Sequence, residues 1–468
     1  MKKRHYILII TLWCSISSIS AQVKSQVKES FELTSIAFRL AGAEEYINNT
    51  IPSYTADIEN HFSRYKDHKL ISYIKEIREK QGIAYDAVPA ATGCIEVKGG
   101  RVIINPQYDA SKIGKKDNRW TEESFKKFVR LLNDFYRQTR FKDFYAKHRE
   151  LYNVAEQRLD AILVNLDTEW FKSMFGEGLE NTVVVASLCN GPSNYAFKGA
   201  AEEEKQGIVM GCSVDKEGNP AYSRFLISII VHEFLHHYTN PCITQYWSQL
   251  HAASQIIYSH VKEKMAKLAY GSANSTMIEW FNNLLTIMYF QDHPRAGHDS
   301  THLTAWNHRD GFIWMERSMR FMRHFRSHRD LYPVISDFMP EIVGFVNYTA
   351  ADFANVLKEF ENKEPYVIDI FPAPNTILPA GIDTIKIHFS EPMFPAHGMK
   401  LLDDKTYYPP MVSQPFWKDL YTYYIILDRS KLEKGKTYGF KLNHAFFQSD
   451  KTYPMKEDYP YTFKMPDE

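Results

Sequence analysis

The chain has 468 residues, which is more than one compact domain usually holds and predicts two or three domains. Hydrophobic residues make up 44% of the sequence and charged residues 24%, which excludes a mainly disordered chain, a collagen-like repeat and a multi-span membrane protein. Lys and Arg together number 56, and so do Asp and Glu. Nucleic-acid-binding proteins usually carry a basic excess, so no nucleic-acid partner is expected.

The first 21 residues have the anatomy of a secretory signal peptide. A short positive stretch (residues 2–4) precedes an apolar stretch (residues 7–13), and Ala21 offers a small residue for cleavage. We therefore predict export, to the periplasm, the cell surface or the medium. No later segment approaches the 18 or so consecutive apolar residues of a membrane-spanning helix, so the mature chain is not expected to cross a membrane.

The mature chain keeps four of the five cysteines. They are Cys94, Cys189, Cys212 and Cys242. One or two disulfides near the stretch 189–242 and unpaired buried thiols are both compatible with these positions.

Residues 23–168 are predicted to be mostly helical. Thr121 is a good N-cap for a helix with apolar residues at helical spacing, and the same pattern continues from Leu151 to Ile162. One hairpin interrupts the helices, because Gly99 and Gly100 separate two β-branched runs and favour a tight turn with positive φ.

Two further short apolar runs, residues 182–188 and 207–214, predict strands because turn residues bound both of them. A helix follows Pro220, and Asn240-Pro241 is expected to end it. More helices are predicted around residues 244–266, 274–290 and 311–327.

The character of the sequence changes near Glu364-Pro365. Short β-rich runs with Gly and Pro turns then predict a small β-sandwich. These runs are residues 383–390, 421–427, 437–442 and 459–465. The segment Phe389-Ser390-Glu391-Pro392-Met393 resembles bacterial Ig-like domains. The resemblance implies a fold, and through it a surface or extracellular partner, but no chemistry.

The motif that carries chemistry is HExxH, at His232, Glu233 and His236. Two histidines four apart share one helical face, so both imidazoles can reach a single Zn²⁺ ion. Glu233 follows the first histidine and can take a proton from a water at the zinc. We therefore predict a zinc site with Glu233 as general base.

The third zinc ligand is predicted to be Glu279. The HExxHxxGxxH variant is excluded, because Thr239 and Cys242 occupy the Gly and His positions. Glu279 is an isolated carboxylate in an apolar helix, and Asn283, four residues later, could hydrogen-bond a ligand imidazole. Glu316 is a rival ligand, less attractive because charged residues surround it.

These residues resemble the gluzincin group of zinc metallopeptidases, which pair HExxH with a Glu on a later helix. The chain also resembles a set of exported bacterial proteins known only as domains of unknown function. The gluzincin resemblance implies peptide-bond hydrolysis and an edge strand that aligns the substrate beside the zinc. Val183–Leu188 or Ile208–Val214 could supply that strand.

Peptide hydrolysis also needs a donor for the developing oxyanion. Our chosen candidate is Tyr289, on the Glu279 helix, with His293 and Tyr195 as alternatives.

The predicted protein is therefore of the α+β class. A signal peptide (1–21) precedes a helix-rich zincin-like metallopeptidase domain with a small sheet (22–362), and an all-β Ig-like sandwich (365–468) follows. The predicted substrate is a peptide or protein. The alternative is a non-catalytic surface or binding protein with a structural or vestigial zinc site. A latent enzyme, covered by residues 23–110 until cleavage, is a third option.

Overall fold

A computed structural model describes residues 23–179, 181–200, 206–294, 300–396, 398–403 and 405–467. The predicted signal peptide lies outside the described residues. The fold class is α+β, as predicted: helices and one small mixed sheet come first, and strands follow Glu361. None of the described helices combines the length and the apolar content that a membrane crossing requires.

The first half of the chain consists mainly of helices. Its helices are α1 (Glu29–Leu40), α2 (Pro52–Phe62), α3 (Lys69–Gln81), α4 (Ala87–Thr92), α5 (Ile113–Lys116), α6 (Glu122–Gln138), α7 (Phe141–Lys147), α8 (Arg149–Leu163) and α9 (Thr168–Phe175). Thr121 caps α6, because its side chain accepts a hydrogen bond from the Ser124 backbone N–H. The predicted N-cap is therefore confirmed.

The strands of this region are β1 (Ser25–Gln26), β2 (Ile95–Lys98), β3 (Arg101–Ile104), β4 (Val183–Ala186), β5 (Asn194–Phe197), β6 (Gly207–Met210), β7 (Ser213–Val214) and β8 (Pro220–Ala221). The hairpin of β2 and β3 is confirmed, and Gly99 and Gly100 both have positive φ. The four cysteines of the predicted mature chain form no disulfide with one another, and three of them are buried.

A four-stranded sheet with the order β1-β4-β6-β5 lies beside the HExxH helix. The strands β1, β4 and β6 are parallel, and β5 pairs antiparallel with β6. Both strands that we expected at the edge, β4 and β6, have a neighbour on each side, so that prediction is wrong. The edge strands are β1 and β5, and neither was predicted from the sequence.

The second half of the helical region contains the HExxH helix. Its helices are α10 (Leu226–Gln245), α11 (Trp247–Lys267), α12 (Ala273–Asp292), α13 (Ser300–Asp310), α14 (Met315–Ser327), α15 (Ile335–Ala351) and α16 (Phe353–Glu361). The predicted end of α10 at Asn240-Pro241 is wrong, because the helix continues to Gln245. Proline removes one helical hydrogen bond, but Ile243 beyond it is completely buried, and this packing favours continuation.

The C-terminal strands form two four-stranded sheets over a common core. The strands are β9 (Val367–Phe371), β10 (Thr376–Ile377), β11 (Thr384–Phe389), β12 (Met399–Leu401), β13 (Phe416–Trp417), β14 (Thr422–Ile426), β15 (Thr437–Leu442) and β16 (Tyr459–Lys464). The sheet orders are β13-β14-β11-β9 and β10-β16-β15-β12. Buried side chains of both sheets, among them Ile387, Tyr423, Phe440 and Phe463, form one cluster separate from the helical core.

His308 of α13 lies where the helical region meets the C-terminal strands. Its Nδ1 atom lies 3.1 Å from both the carbonyl oxygen and the hydroxyl oxygen of Thr452, and its ring stacks on Tyr453. The Nε2 atom is buried and has no hydrogen-bond partner within the described ranges. Burial lowers the pKa of His308 to about 4, because a charged imidazolium would lose its hydration there.

Acid is therefore expected to destabilise the fold through His308. An unfolded histidine titrates near pH 6.5, so between about pH 6.5 and 4 the unfolded chain binds the proton that the folded chain excludes. Above this window the neutral His308 makes its full contribution to the free energy of unfolding. Up to about 3 kcal/mol of that free energy is lost as the pH falls through the window. His308→Phe should reduce the pH dependence of the thermal unfolding midpoint in this window. The control His251→Phe, at an exposed site, should leave this pH dependence unchanged. A pH dependence in His308→Phe equal to that of the parent would contradict the role of His308.

Candidate metal centre

Three of the predicted site residues converge between α10 and α12. The Nε2 atoms of His232 and His236, one turn apart on α10, lie 3.2 Å from each other. The two carboxylate oxygens of Glu279 on α12 lie 3.5 Å from His232 Nε2 and 3.6 Å from His236 Nε2. The structure thus brings together three side chains that are up to 47 positions apart in the sequence.

These spacings fit a tetrahedral zinc site. Ligand atoms about 2.1 Å from a tetrahedral zinc lie about 3.4 Å from one another. Two imidazoles and a carboxylate are also a donor set that zinc commonly takes. The side chains of His232, His236 and Glu279 keep 21%, 17% and 16% of their surface exposed, so the site is open towards solvent on one side.

Asn282 fixes α12 against α10. Its amide nitrogen donates a hydrogen bond to the backbone carbonyl of His232, and its amide oxygen accepts one from the Thr239 hydroxyl. Asn282 and Thr239 are completely buried. Since Glu279 lies one turn before Asn282, this double contact places its carboxylate opposite the two imidazoles.

Both imidazoles have a further polar partner. The Nδ1–H of His236 donates to Asn240 Oδ1 at 3.0 Å, which leaves the lone pair of Nε2 directed at the centre. The predicted contact of Asn283 with a ligand imidazole is confirmed, because its side chain hydrogen-bonds His232. Asn240 was not predicted, although its position four residues after His236 was a usable signal.

Glu233 lies beside the centre and next to the edge strand β5. The backbone N–H of Ala196 in β5 hydrogen-bonds its carboxylate, and the Gln206 side chain donates to its backbone carbonyl. Burial raises the pKa of Glu233, although the neighbouring imidazoles oppose this. Glu233 is thus a largely desolvated carboxylate beside the two histidines, where a general base would need to be.

His232 and Glu279 shift each other's pKa. Burial disfavours the charged form of His232, but the hydrogen bond and the negative charge of Glu279 outweigh this and raise its pKa. Burial also disfavours the charged form of Glu279, and here the hydrogen bond and charge of His232 prevail and lower the pKa. Together the two shifts favour a charged carboxylate on Glu279 facing a charged imidazolium on His232.

The prediction of Tyr289 as the oxyanion donor is wrong. Tyr289 is ten residues beyond Glu279, about 15 Å along the helix. It is completely buried, and its hydroxyl accepts a hydrogen bond from the Asp167 backbone N–H. The alternative His293 also contacts Asp167, and Tyr195 packs against a small apolar cluster that includes Val209.

The hydroxyl that does reach the centre belongs to Tyr270, in the connection between α11 and α12. It donates a hydrogen bond to the Glu279 carboxylate, and burial together with that carboxylate raises its pKa. No sequence pattern marked Tyr270, because it precedes α12 and approaches Glu279 only after the chain has turned.

Glu316, the rival third ligand, lies elsewhere. Its carboxylate accepts hydrogen bonds from Lys363 and from the Tyr453 hydroxyl, where the helical region meets the C-terminal strands. The structure therefore favours Glu279 over Glu316 as a partner of the two histidines.

A cleft of about 190 Å³ opens beside the centre, and we call it the central cleft. Ala196 and Phe197 of β5 line one side of it, and His236, His237 and Asn240 of α10 line another. Gln206 also lines it, and its Oε1 atom is buried without a partner among the residues that the structure describes. An extended chain bound along β5 would therefore pass beside His236.

Loss of the Asn240 side chain is expected to weaken zinc binding. Partners of ligand histidines orient the ring, and their removal typically costs 10- to 100-fold in metal affinity. Asn240→Ala should show a loss of this size in a competition titration of zinc against a chelating dye. Asn347→Ala changes an exposed asparagine of α15 and should leave the affinity unchanged. An Asn240→Ala affinity equal to that of the parent would contradict the orienting role.

The comparisons with known proteins identify a family for this chain and give no activity. None of the curated proteins matches this sequence. Among solved structures, the N-terminal part of the bacterial S-layer protein SbsC matches at 12% identity, covering 52% of this chain and 57% of that chain. Its TM-score of 0.16 is too low to support any argument about fold. A family model matches residues 26–345, which include all the residues of the centre, and the chain therefore belongs to the family described as Domain of unknown function (DUF4932).

Proposed function

We propose that this protein is an exported zinc-dependent peptidase that hydrolyses peptide bonds in a helix-rich, zincin-like domain of about residues 22–362. The observation that carries the proposal is the open triad of His232, His236 and Glu279 with the Glu233 carboxylate beside it. Structural zinc sites have four protein ligands, whereas catalytic sites have three and an open position. A largely desolvated base next to a three-ligand centre therefore favours catalysis.

Each residue of the centre has a distinct role in this proposal. His232, His236 and Glu279 would hold Zn²⁺, which in such sites polarises a carbonyl group and makes a bound water acidic near neutral pH. Glu233 accepts the proton of the attacking water and later delivers it to the leaving amine. Asn240 and Asn283 hold the two imidazoles in orientation.

The strand β5 would align the substrate. The N–H of Ala196 points to Glu233 and therefore away from β6, and in an antiparallel pair the carbonyl of the same residue also points away from the partner strand. A peptide could thus add to this edge as a further strand, with main-chain hydrogen bonds that hold its backbone beside the centre. Main-chain recognition of this kind places few demands on substrate sequence.

Tyr270 replaces Tyr289 as the proposed oxyanion donor. Its hydroxyl reaches the centre through Glu279, and in this proposal it turns from that carboxylate to a substrate oxygen. Burial together with the Glu279 carboxylate raises its pKa, so the hydroxyl keeps its proton and remains a donor at neutral pH.

The leader of residues 1–21 would direct the protein to the periplasm, the cell surface or the medium. The two sheets within residues 365–468 would form an Ig-like domain that binds a surface or extracellular partner.

Replacement of Glu233 tests catalysis separately from metal binding. Glu233→Gln keeps the size of the side chain but cannot take a proton, so hydrolysis of a mixed quenched-fluorescent peptide library should fall by about 10²- to 10⁴-fold. Zinc content should stay at the parent level, since Glu233 is not a ligand. The matched change Glu263→Gln, on an exposed face of α11, should alter neither quantity.

Two outcomes would contradict these roles. Loss of zinc in Glu233→Gln would show that this carboxylate binds the metal. Zinc retained in the parent together with no hydrolysis of any library peptide would favour the non-catalytic binding protein.

A further inference from the structure

A second cavity, of about 250 Å³, adjoins the central cleft, and we call it the lysine pocket. Four lysines line it, Lys112, Lys115, Lys116 and Lys198. Two of them, Lys116 and Lys198, also line the central cleft, so the two cavities lie side by side.

The described residues that line the lysine pocket have an excess of positive charge. Three of its lysines, Lys112, Lys115 and Lys198, are exposed and form no ion pair with any carboxylate in the described part of the chain. The fourth, Lys116, donates to the backbone carbonyl of Gly199. Among the described residues of the lining, Asp109 is the single carboxylate, and it accepts hydrogen bonds from the backbone and hydroxyl of Ser111. A concave site with one sign of charge concentrates ligands of the opposite sign.

The carboxylates of the central cleft do not cancel this charge. Asp86 and Asp117 line the cleft, and Arg119 forms an ion pair with each of them. One guanidinium serves both carboxylates, so this wall keeps one net negative charge. The three exposed lysines of the pocket outnumber it, and the charge that the described residues present to a ligand stays positive.

Lys198 places the lysine pocket close to the candidate metal centre. Lys198 follows β5 directly and is two residues beyond Ala196, whose N–H contacts Glu233. Extended chains rise about 3.3 Å per residue, so Lys198 lies about 7 Å from Ala196 along the strand direction. A peptide added to β5 would present a side chain to Lys198 two or three residues away from the bond at the centre.

We propose that the lysine pocket binds an aspartate or glutamate side chain of the peptide substrate, two or three residues from the scissile bond. The inference rests on the proposed peptidase function and adds a substrate class to it: acidic peptides and acidic segments of proteins. Main-chain pairing with β5 would position any extended chain, and the lysines would make the enzyme prefer chains with an acidic side chain at this position.

The test uses the full mature protein carrying Glu233→Gln, so that binding is measured without turnover. Two fluorescent peptides of equal length carry Glu or Gln at the positions two and three residues from the centre. We expect the Glu peptide to bind at least about tenfold more tightly at low salt, with the preference declining as salt is added.

The preference should disappear when Lys112→Gln, Lys115→Gln and Lys198→Gln are combined. The control combines Lys262→Gln, Lys264→Gln and Lys267→Gln, which removes the same charge from an exposed face of α11 and should keep the preference. Equal binding of the two peptides, or a preference that survives the loss of the three pocket lysines, would overturn the proposal.

The same peptides, offered to the parent enzyme, separate this inference from the peptidase function. Selective binding without cleavage of either peptide would leave the lysine pocket established and refute the peptidase. Cleavage of both peptides at equal kcat/KM would leave the peptidase established and refute the acidic preference. A preference that appears only after Glu202, Glu203 and Glu204 are changed to Gln would also overturn the proposal, because the lysines would then serve the chain's own acidic run.

Discussion

The candidate metal centre depends on the buried contact between Asn282 of α12 and two positions of α10. One amide group hydrogen-bonds both the His232 carbonyl and the Thr239 hydroxyl. It therefore fixes the position of α12 along its axis and its rotation about that axis, relative to the HExxH helix. Each partner left unsatisfied in this buried site would cost about 1–3 kcal/mol. Glu279, one turn earlier, faces the imidazoles only while that register holds.

The other features of the centre follow from the same packing. Asn283, the next residue on α12, reaches His232, while the start of α12 brings Tyr270 to Glu279. On the opposite side, β5 lies along α10 and places the Ala196 N–H against Glu233. The two helices therefore hold the proposed ligands, and the strand holds the proposed base at the edge where a substrate could pair.

Local sequence signals predicted the local parts of this arrangement. Helical spacing identified the His232–His236 face, and the isolated charge of Glu279 in an apolar helix identified its partner. The β2–β3 hairpin and the N-cap Thr121 could be predicted for the same reason, because the residues that determine a turn or a helix cap lie within a few positions of each other.

The errors concern long-range packing. Whether a strand lies at the edge of a sheet depends on which strands pair with it. The apolar runs of β4 and β6 predicted strands but not their neighbours, and β5 forms the edge beside the HExxH helix. Tyr289 lies on the correct helix but about 15 Å from Glu279, whereas Tyr270 precedes that helix and still reaches it. The continuation of α10 through Pro241 likewise depends on buried contacts that the proline rule does not include.

Zinc per chain in the purified mature protein tests the central claim most directly, measured beside Glu279→Ala and the matched carboxylate change Glu316→Ala. The structure places Glu279 against both imidazoles and Glu316 against Lys363. We expect one zinc in the parent, a strong loss in Glu279→Ala and retention in Glu316→Ala. A parent that binds no zinc after supplementation, or a Glu279→Ala variant that keeps the full amount, would contradict the account.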